Sequence, residues 1–283
     1  MADSQLSPIA RFENILLATD GSEYSAGAER VAIEFCKVHQ AHLHILSATT
    51  TPDDAGWMGA QADQDAENSL DENLKRLHKA AEEAGVECTT QVRSGSDPYE
   101  VIVDLANSLT VDMIIMGRRG RRGLARLMMG DATAKVIGYA PCAVLVVPET
   151  QSMWSSIMIA TDGSRYSDMA AVTAAELAKS ENLLLNVLSV KVPSHSDRRQ
   201  NEAQPIVDRV LGFLEEQGIQ ARGVVEEGPA DEIIVEVAKE KNSDLIVLGN
   251  FGRTGIGRVL FGSKDERVIN STDASVLIVR GGG

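Results

Sequence analysis

The fold of this chain follows from the segment at residues 245–263, which reads LIVLGNFGRTGIGRVLFGS. Its first four residues form an apolar run with the length of a buried strand. Gly249, Gly252 and Gly262 follow with gaps of two and nine residues, and Ser263 stands where the next helical pattern begins. Such glycines let a backbone approach a bulky anion closely, because no Cβ blocks it and amides can converge at positive φ. A serine at a helix start adds a hydroxyl and N–H groups aimed at the same place.

The same glycine spacing occurs once earlier in the chain. Gly117, Gly120 and Gly130 follow the apolar run at residues 113–116, but Asp131 stands in the place of the serine. Each glycine taken singly is explained by a plain turn. Two copies of the pattern, each between a predicted strand and a predicted helix, favour a pair of related anion-binding loops.

Strand and helix patterns alternate along the whole chain, and the series starts twice. A Thr-Asp-Gly-Ser turn ends the first predicted strand at residues 19–22 and again at residues 161–164. The two turns are 142 residues apart, whereas the two glycine loops are 132 residues apart. The first copy therefore carries about ten extra residues between its turn and its glycine loop. We place them in a predicted loop at residues 50–65 around Trp57. Alternating patterns predict an α/β fold with parallel sheets and helices on both faces. We expect two tandem Rossmann-like domains of five strands each, at residues 1–150 and 151–283.

Asp162 follows the first strand of the second copy, and Gly249 follows its fourth strand. Ligands of open parallel sheets bind at the carboxyl ends of the strands, where the strand order reverses. If the two strands are neighbours, Asp162 would accept hydrogen bonds from ribose hydroxyls, or hold a metal such as Mg²⁺, while the glycine loop takes phosphates. The same aspartate is equally explained as a helix cap, and one residue can serve both purposes.

Composition excludes several classes of partner. The chain has 283 residues, a formal net charge of −14 and an isoelectric point near 4.8, which argues against nucleic acid or an anionic membrane as the main partner. No apolar run approaches the length of about 20 residues that a membrane helix needs, and residues 1–11 lack the apolar core of a secretion signal. Three cysteines without close pairing indicate buried thiols in a reducing compartment. We expect a cytoplasmic protein.

These motifs resemble the universal stress protein family. The resemblance rests on the Ala-Thr-Asp-Gly-Ser turns, the Gly-x2-Gly-x9-Gly-Ser loop and the strand Ala-Pro-Cys-Ala-Val-Leu-Val-Val at residues 140–147, and it covers nearly the whole chain. It implies a tandem member with an adenine nucleotide alpha hydrolase-like fold, which binds ATP, with or without Mg²⁺, in its second domain and acts as a regulatory module in the stress response. The nucleotide contacts it implies are Ala160, Thr161, Asp162, Val187 (to adenine), Gly249, Gly252, Arg253, Gly262, Ser263 and Lys264.

The first copy departs from this pattern. It matches the family at Asp20, Ile45, Gly117, Gly120 and Gly130, which form a possible weaker second site. Asp131 replaces the phosphate-binding serine with a carboxylate, which repels phosphate when ionised. Five arginines crowd the same loop, and they are explained either as a solvated basic face or as an anion site of another shape: Arg118, Arg119, Arg121, Arg122 and Arg126. We therefore expect one ATP per chain.

No nucleophile or base stands out beside either loop, so any ATP turnover should be slow or absent. Two other functions stay open: an adenylyl-transfer or weak ATPase enzyme, and a nucleotide-free scaffold for a protein partner. The apolar terminal strands of the two copies are expected to need cover. In the family such strands pair across a dimer. Here we expect the terminal strands of the two copies to pair with each other within one chain. The chain would then be a monomer with paired domains, or it would form a homodimer.

Overall fold

The computed structural model describes residues 12–50, 57–119, 128–250 and 263–280. The chain forms two compact units, the first spanning Phe12–Met153 and the second beginning at Trp154. None of the described helices is both long and apolar enough to cross a bilayer.

In the first unit, a single 3-10 turn at Glu23–Ser25 precedes the first helix. Its elements are β1 (Asn14–Ala18), α1 (Ala26–His39), β2 (His42–Thr50), α2 (Trp57–Glu83), β3 (Cys88–Gly95), α3 (Pro98–Ser108), β4 (Met113–Gly117), α4 (Asp131–Tyr139) and β5 (Ala143–Val147).

The second unit repeats this series. Its elements are β6 (Ser156–Ala160), α5 (Arg165–Glu181), β7 (Leu184–Lys191), α6 (Asp197–Asn201), α7 (Ala203–Glu216), β8 (Ala221–Glu227), α8 (Ala230–Glu240), β9 (Leu245–Asn250), α9 (Ser263–Ser271) and β10 (Ser275–Arg280).

Each unit contains a parallel sheet with the same strand order. The first runs β3-β2-β1-β4-β5 and the second β8-β7-β6-β9-β10. The central strands are mainly apolar, as expected of strands covered by helices on both faces, and every residue of β4 is buried. The order reverses between β1 and β4, and between β6 and β9, so each sheet has its ligand-binding position above that pair. The α/β fold with tandem Rossmann-like domains is confirmed.

One predicted loop is wrong. Residues 57–65 were expected to continue the loop around Trp57, but α2 begins at Trp57. The sequence there, WMGAQADQD, contains no proline and no β-branched residue, and its alanine, glutamine and methionine favour a helix. The insertion in the first copy therefore lengthens a helix: α2 has 27 residues, whereas α7 has 14. The rest of that loop, residues 51–56, lies outside the described residues.

Candidate functional site

The first glycine of each loop motif is required by packing inside its own domain. A Cβ built on Gly249 would lie 2.2 Å from the carbonyl oxygen of Tyr166 and 2.7 Å from the backbone nitrogen of Ser167, at the start of α5. A Cβ on Gly117 would lie 2.7 Å from the carbonyl oxygen of Tyr24. Each glycine lets the end of the fourth strand pass directly under the helix that follows the first strand. This position is therefore explained without a ligand.

The turn that carries Asp162 lies beside that crossing. Ala160 at the end of β6 pairs with Leu248 of β9, so the residues that follow Ala160 emerge next to Gly249. Thr161 is buried and anchors the turn, because its N–H donates to the carbonyl oxygen of Leu188 at 2.8 Å and its hydroxyl donates to Ser167 Oγ at 3.0 Å. These bonds fix the direction in which the next residue leaves the sheet.

The carboxylate of Asp162 accepts hydrogen bonds within its turn and is also partly exposed to solvent. Its Oδ1 accepts the N–H of Ser164 at 3.0 Å, and 57% of its side chain is exposed. Its Oδ2 lies 3.6 Å from Nη2 of Arg199. Burial by itself would raise the pKa of Asp162, but hydrogen bonding by Ser164 and Ser167 and the charge of Arg199 together hold this pKa below its ordinary value. Asp162 is therefore an ionised acceptor at neutral pH.

The start of α9 lies within electrostatic reach of this carboxylate. Ser263 is the first residue of α9, and the side chains of Ser263 and Lys264 are exposed. Burial raises the pKa of Asp265 to about 6, against the opposing charge of Lys264, and the negative charge of Asp162 adds to the increase. Asp162 is therefore near enough to the first turn of α9 for its charge to act on Asp265. Gly252, Arg253 and Gly262 of the same motif lie outside the described residues.

The strand that was expected to contact adenine is placed differently at the level of single residues. Val187 is fully buried in the middle of β7, paired with Ile159 and Gly223. The backbone groups of Leu188 point towards β6, since its carbonyl accepts the N–H of Thr161. Successive residues of a strand direct their backbone groups to alternate neighbouring strands. Val187 thus faces β8. Val190 faces the β6 side, but the pairing with β6 ends at Leu188 while β7 continues to Lys191. The backbone of Val190 is therefore the part of β7 level with the Asp162 turn.

The equivalent aspartate in the first domain is bound into its own turn. Oδ1 of Asp20 accepts the N–H of Ser22 at 3.0 Å, the hydroxyl of Ser22 at 2.6 Å and the hydroxyl of Ser25 at 2.8 Å. Ile45 lies in mid-strand, paired with Leu17 and Thr90, as Val187 does in the second domain. The two domains share this turn, because Ser164 and Ser167 bond Asp162 at the positions equivalent to Ser22 and Ser25, but Asp162 is the more exposed of the two aspartates.

The helix start in the first domain also differs. Gly130 precedes α4 and its N–H donates to the carbonyl oxygen of Arg118 at 2.9 Å. Asp131 is 80% exposed, and its Oδ2 lies 2.8 Å from Nζ of Lys135, which also contacts Asp97 at 2.7 Å. Lys135 therefore compensates the charge that Asp131 introduces. The sequence analysis considered only the loop arginines for that role.

Among the loop arginines, Arg119 has two side-chain partners that the structure describes. Its guanidinium lies 4.5 Å from the centre of the Tyr24 ring and 3.7 Å from Oε2 of Glu149, and only 12% of its side chain is exposed. This is the pairing with the chain's own carboxylates that one of the two interpretations predicted, although the side chain is more buried than a solvated face implies. Arg118 is described as well, whereas Gly120, Arg121, Arg122 and Arg126 lie outside the described residues.

Sequence reasoning missed a buried acid in the first helix of each domain. Glu29 of α1 accepts the hydroxyl of Thr19 at 2.7 Å and contacts Arg76 of α2. Asp168 of α5 is held by both terminal nitrogens of Arg209 of α7, at 2.9 and 2.5 Å. An acidic residue within an otherwise apolar helix face was the available signal. Among the described residues, no group of three or more histidines, cysteines and carboxylates is arranged to hold a metal.

Comparisons with known proteins agree with this architecture. The model of the universal stress protein family matches residues 11–148 and again residues 153–280. A universal stress protein of Mycolicibacterium smegmatis is 25% identical over 288 residues, covering 94% of this chain and 96% of that protein. The crystal structure of a universal stress protein from Archaeoglobus fulgidus superposes with a TM-score of 0.76 at 20% identity, covering 96% of this chain and 99% of that one, which shows a common fold. A universal stress protein solved in complex with cAMP aligns with 47% of this chain and 100% of its own, with a TM-score of 0.38 at 26% identity.

Proposed function

Because this chain belongs to the universal stress protein family, we propose that its second domain binds an adenine nucleotide, ATP in the first instance, and acts as a regulatory module. The observation that carries the proposal is the half-exposed, ionised carboxylate of Asp162 beside the start of α9. A carboxylate that faces solvent above the point where strand order reverses is placed to accept ribose hydroxyls.

The phosphates would lie at the start of α9. Helix N-terminal amides and the macrodipole favour an anion there, and the hydroxyl of Ser263 adds a donor. Lys264 contributes positive charge beside Asp265, whose pKa is near 6. A Mg²⁺ ion bound with the nucleotide would find its protein carboxylate in Asp162. These described residues fit a nucleotide.

The base would lie above the end of β7. We propose that the backbone of Val190, instead of the Val187 that the resemblance implied, contacts adenine, since Val190 continues past the end of β6. Backbone contacts of this kind recognise the hydrogen-bonding edge of a base without a dedicated side chain. The regulatory role in the stress response and a cytoplasmic location belong to the same proposal, supported by family membership and the acidic composition.

The first domain, in this proposal, holds no nucleotide. Asp20 is less exposed than Asp162, so its carboxylate is less accessible to ribose hydroxyls. Asp131 offers no hydroxyl at the position of Ser263, and its carboxylate is paired with Lys135. The first domain then acts as a structural partner, in a monomer or a homodimer, and sedimentation of the whole chain distinguishes those two states.

Titration calorimetry with Mg-ATP tests the proposal through a matched pair of variants. Asp162→Asn removes the charged acceptor and should weaken binding about 10- to 100-fold, as expected for a hydrogen bond to a charged group. Asp20→Asn makes the same change in the first domain and should leave the affinity and the stoichiometry of one ATP per chain unchanged. Equal effects of the two variants, or two equivalent sites in the unmodified protein, would contradict the assignment to the second domain.

A further inference from the structure

Arg199 is the cationic side chain that faces the proposed ribose position. Its Nη2 lies 3.6 Å from Oδ2 of Asp162, and the two side chains are 55% and 57% exposed. This separation is too long for a hydrogen bond, so the contact is a weak charge interaction in a largely aqueous setting. The guanidinium is near the carboxylate, but its N–H donors are left able to bind another acceptor.

The segment between β7 and α7 holds Arg199 in this place through its own hydrogen bonds. The N–H of His195 donates to the carbonyl oxygen of Val192 at 2.9 Å. The side chain of Gln200 donates to the carbonyl oxygen of His195 at 2.8 Å, and its N–H donates to that of Ser196 at 3.0 Å. These bonds fold the connection into a compact turn followed by α6, which carries Arg199. The guanidinium is therefore presented by ordered backbone.

The neighbouring arginine points elsewhere. Nε of Arg198 lies 3.5 Å from Oε1 of Glu202, four residues further along the chain, and its side chain is 91% exposed. Two adjacent arginines thus differ in what they face: Arg198 faces a glutamate of its own segment, and Arg199 faces the Asp162 turn. This difference supplies a control with the same chemistry at the adjacent position.

We propose that Arg199 lies beside the ribose of the bound nucleotide and binds a phosphate group carried on a ribose oxygen. The inference rests on the proposed function. Oδ1 of Asp162 is occupied by the N–H of Ser164, so the ribose hydroxyl meets Oδ2, the oxygen beside Arg199. A carboxylate alone at this position rejects a ribose phosphate, whereas an arginine nearby accepts one through its fork of donors. With both present, the second domain accepts nucleotides with or without that phosphate.

Competition against a fluorescent ATP analogue tests the inference on the full-length protein. The two competitors are AMP and adenosine 3′,5′-bisphosphate, which differ only by the phosphate on the ribose, so the ratio of their affinities isolates that group. In the unmodified protein we expect the bisphosphate to bind at least as tightly as AMP. Arg199→Ala should weaken the bisphosphate at least about tenfold, the lower range for a charge-assisted contact, and change AMP less than about threefold.

Arg198→Ala removes the same charge from the adjacent residue and should leave the ratio unchanged, while Arg199→Lys should restore part of it. If the ATP analogue binds but Arg199→Ala leaves the ratio unchanged, or if Arg198→Ala shifts it equally, this inference fails and the proposed function stands. A tenfold preference of the unmodified protein for AMP also overturns it. If the ATP analogue does not bind, the proposed function fails and this inference with it.

Discussion

Replacement of Gly249 by alanine separates the packing role of the glycine loop from its ligand role. The added Cβ would lie 2.2 Å from the carbonyl oxygen and 2.4 Å from the carbonyl carbon of Tyr166. Both atoms belong to backbone at the start of α5, where Ser164 caps the helix and Thr161 bonds to Ser167. The strand or the helix must therefore move by about 1 Å. Overpacking of this kind costs about 1–3 kcal/mol, and the rigid neighbour places Gly249→Ala at or above the upper end.

Two further glycines calibrate the measurement. Gly117→Ala introduces a milder clash, at 2.7 Å from a carbonyl oxygen, and should cost less. Gly212→Ala, in α7, meets nothing within 4 Å and should stabilise the second domain by up to about 1 kcal/mol, because alanine favours a helix.

Calorimetric unfolding of the three variants provides the assay. The transitions of the two domains are fitted separately, since one two-state transition is not expected of two compact units. The fluorescence of Trp154, which is buried in the second unit, follows the unfolding of the second domain in a parallel melt. If Gly249→Ala unfolds at the same temperature as the unmodified protein but loses ATP, the close approach is not limiting and the glycine serves the ligand alone. That result would refute the packing argument.

Four other outcomes are expected. The raised pKa of Asp265 means that its ionisation opposes folding, so the destabilisation is absent below pH 4, develops as pH rises towards 6 and persists above it. Asp265→Asn should therefore raise the melting temperature at pH 7, with a gain of no more than about 3 kcal/mol in the free energy of unfolding. The same variant should have no effect at pH 3.5. Arg209→Ala should lower the free energy of unfolding by about 2–4 kcal/mol, because it leaves the buried carboxylate of Asp168 without its cation. Arg198→Ala, measured by the same thermal unfolding, should lower it hardly at all. Asp131→Ser should create only a weak second ATP site in calorimetry, since its charge is exposed and already compensated; a second site as tight as the first would contradict this. Steady-state ATP turnover should stay far below the typical enzymatic rate of about 10 per second.

The sequence was sufficient for the architecture because hydrophobic pattern and turn chemistry agree along most of the chain. Pro98 opens α3, and the predicted fifth strand coincides with β5. Prediction failed where composition was misleading: the Pro- and Gly-containing stretch before Trp57 suggested a loop, but good helix formers follow it. The motifs predicted that the Asp162 turn lies beside the end of the fourth strand, because strand order determines which strand ends meet, and β6 and β9 are paired.

Single-residue geometry was beyond the sequence. Val187 and Val190 are both apolar residues of one strand, and only the register with β6 shows which of them lies level with Asp162. The proximity of Arg199 depends on how residues 192–200 fold back, for which the sequence carries no periodic signal. The packing role of Gly249 depends on the close approach of β9 to α5, which no local sequence pattern records.

The two buried acids limit how the halves of this chain can exchange parts. Counted from the strand-one turns, Glu29 corresponds to Ala171, and Asp168 corresponds to Ala26, so the acid has shifted by one helical turn between the copies. Each acid meets an arginine from another helix of its own half, Arg76 of α2 or Arg209 of α7. A recombination that swapped α1 and α5 without their partner helices would bury a carboxylate opposite no cation and strand an arginine elsewhere. The first helix of one half is therefore not interchangeable with that of the other unless its partner arginine moves with it.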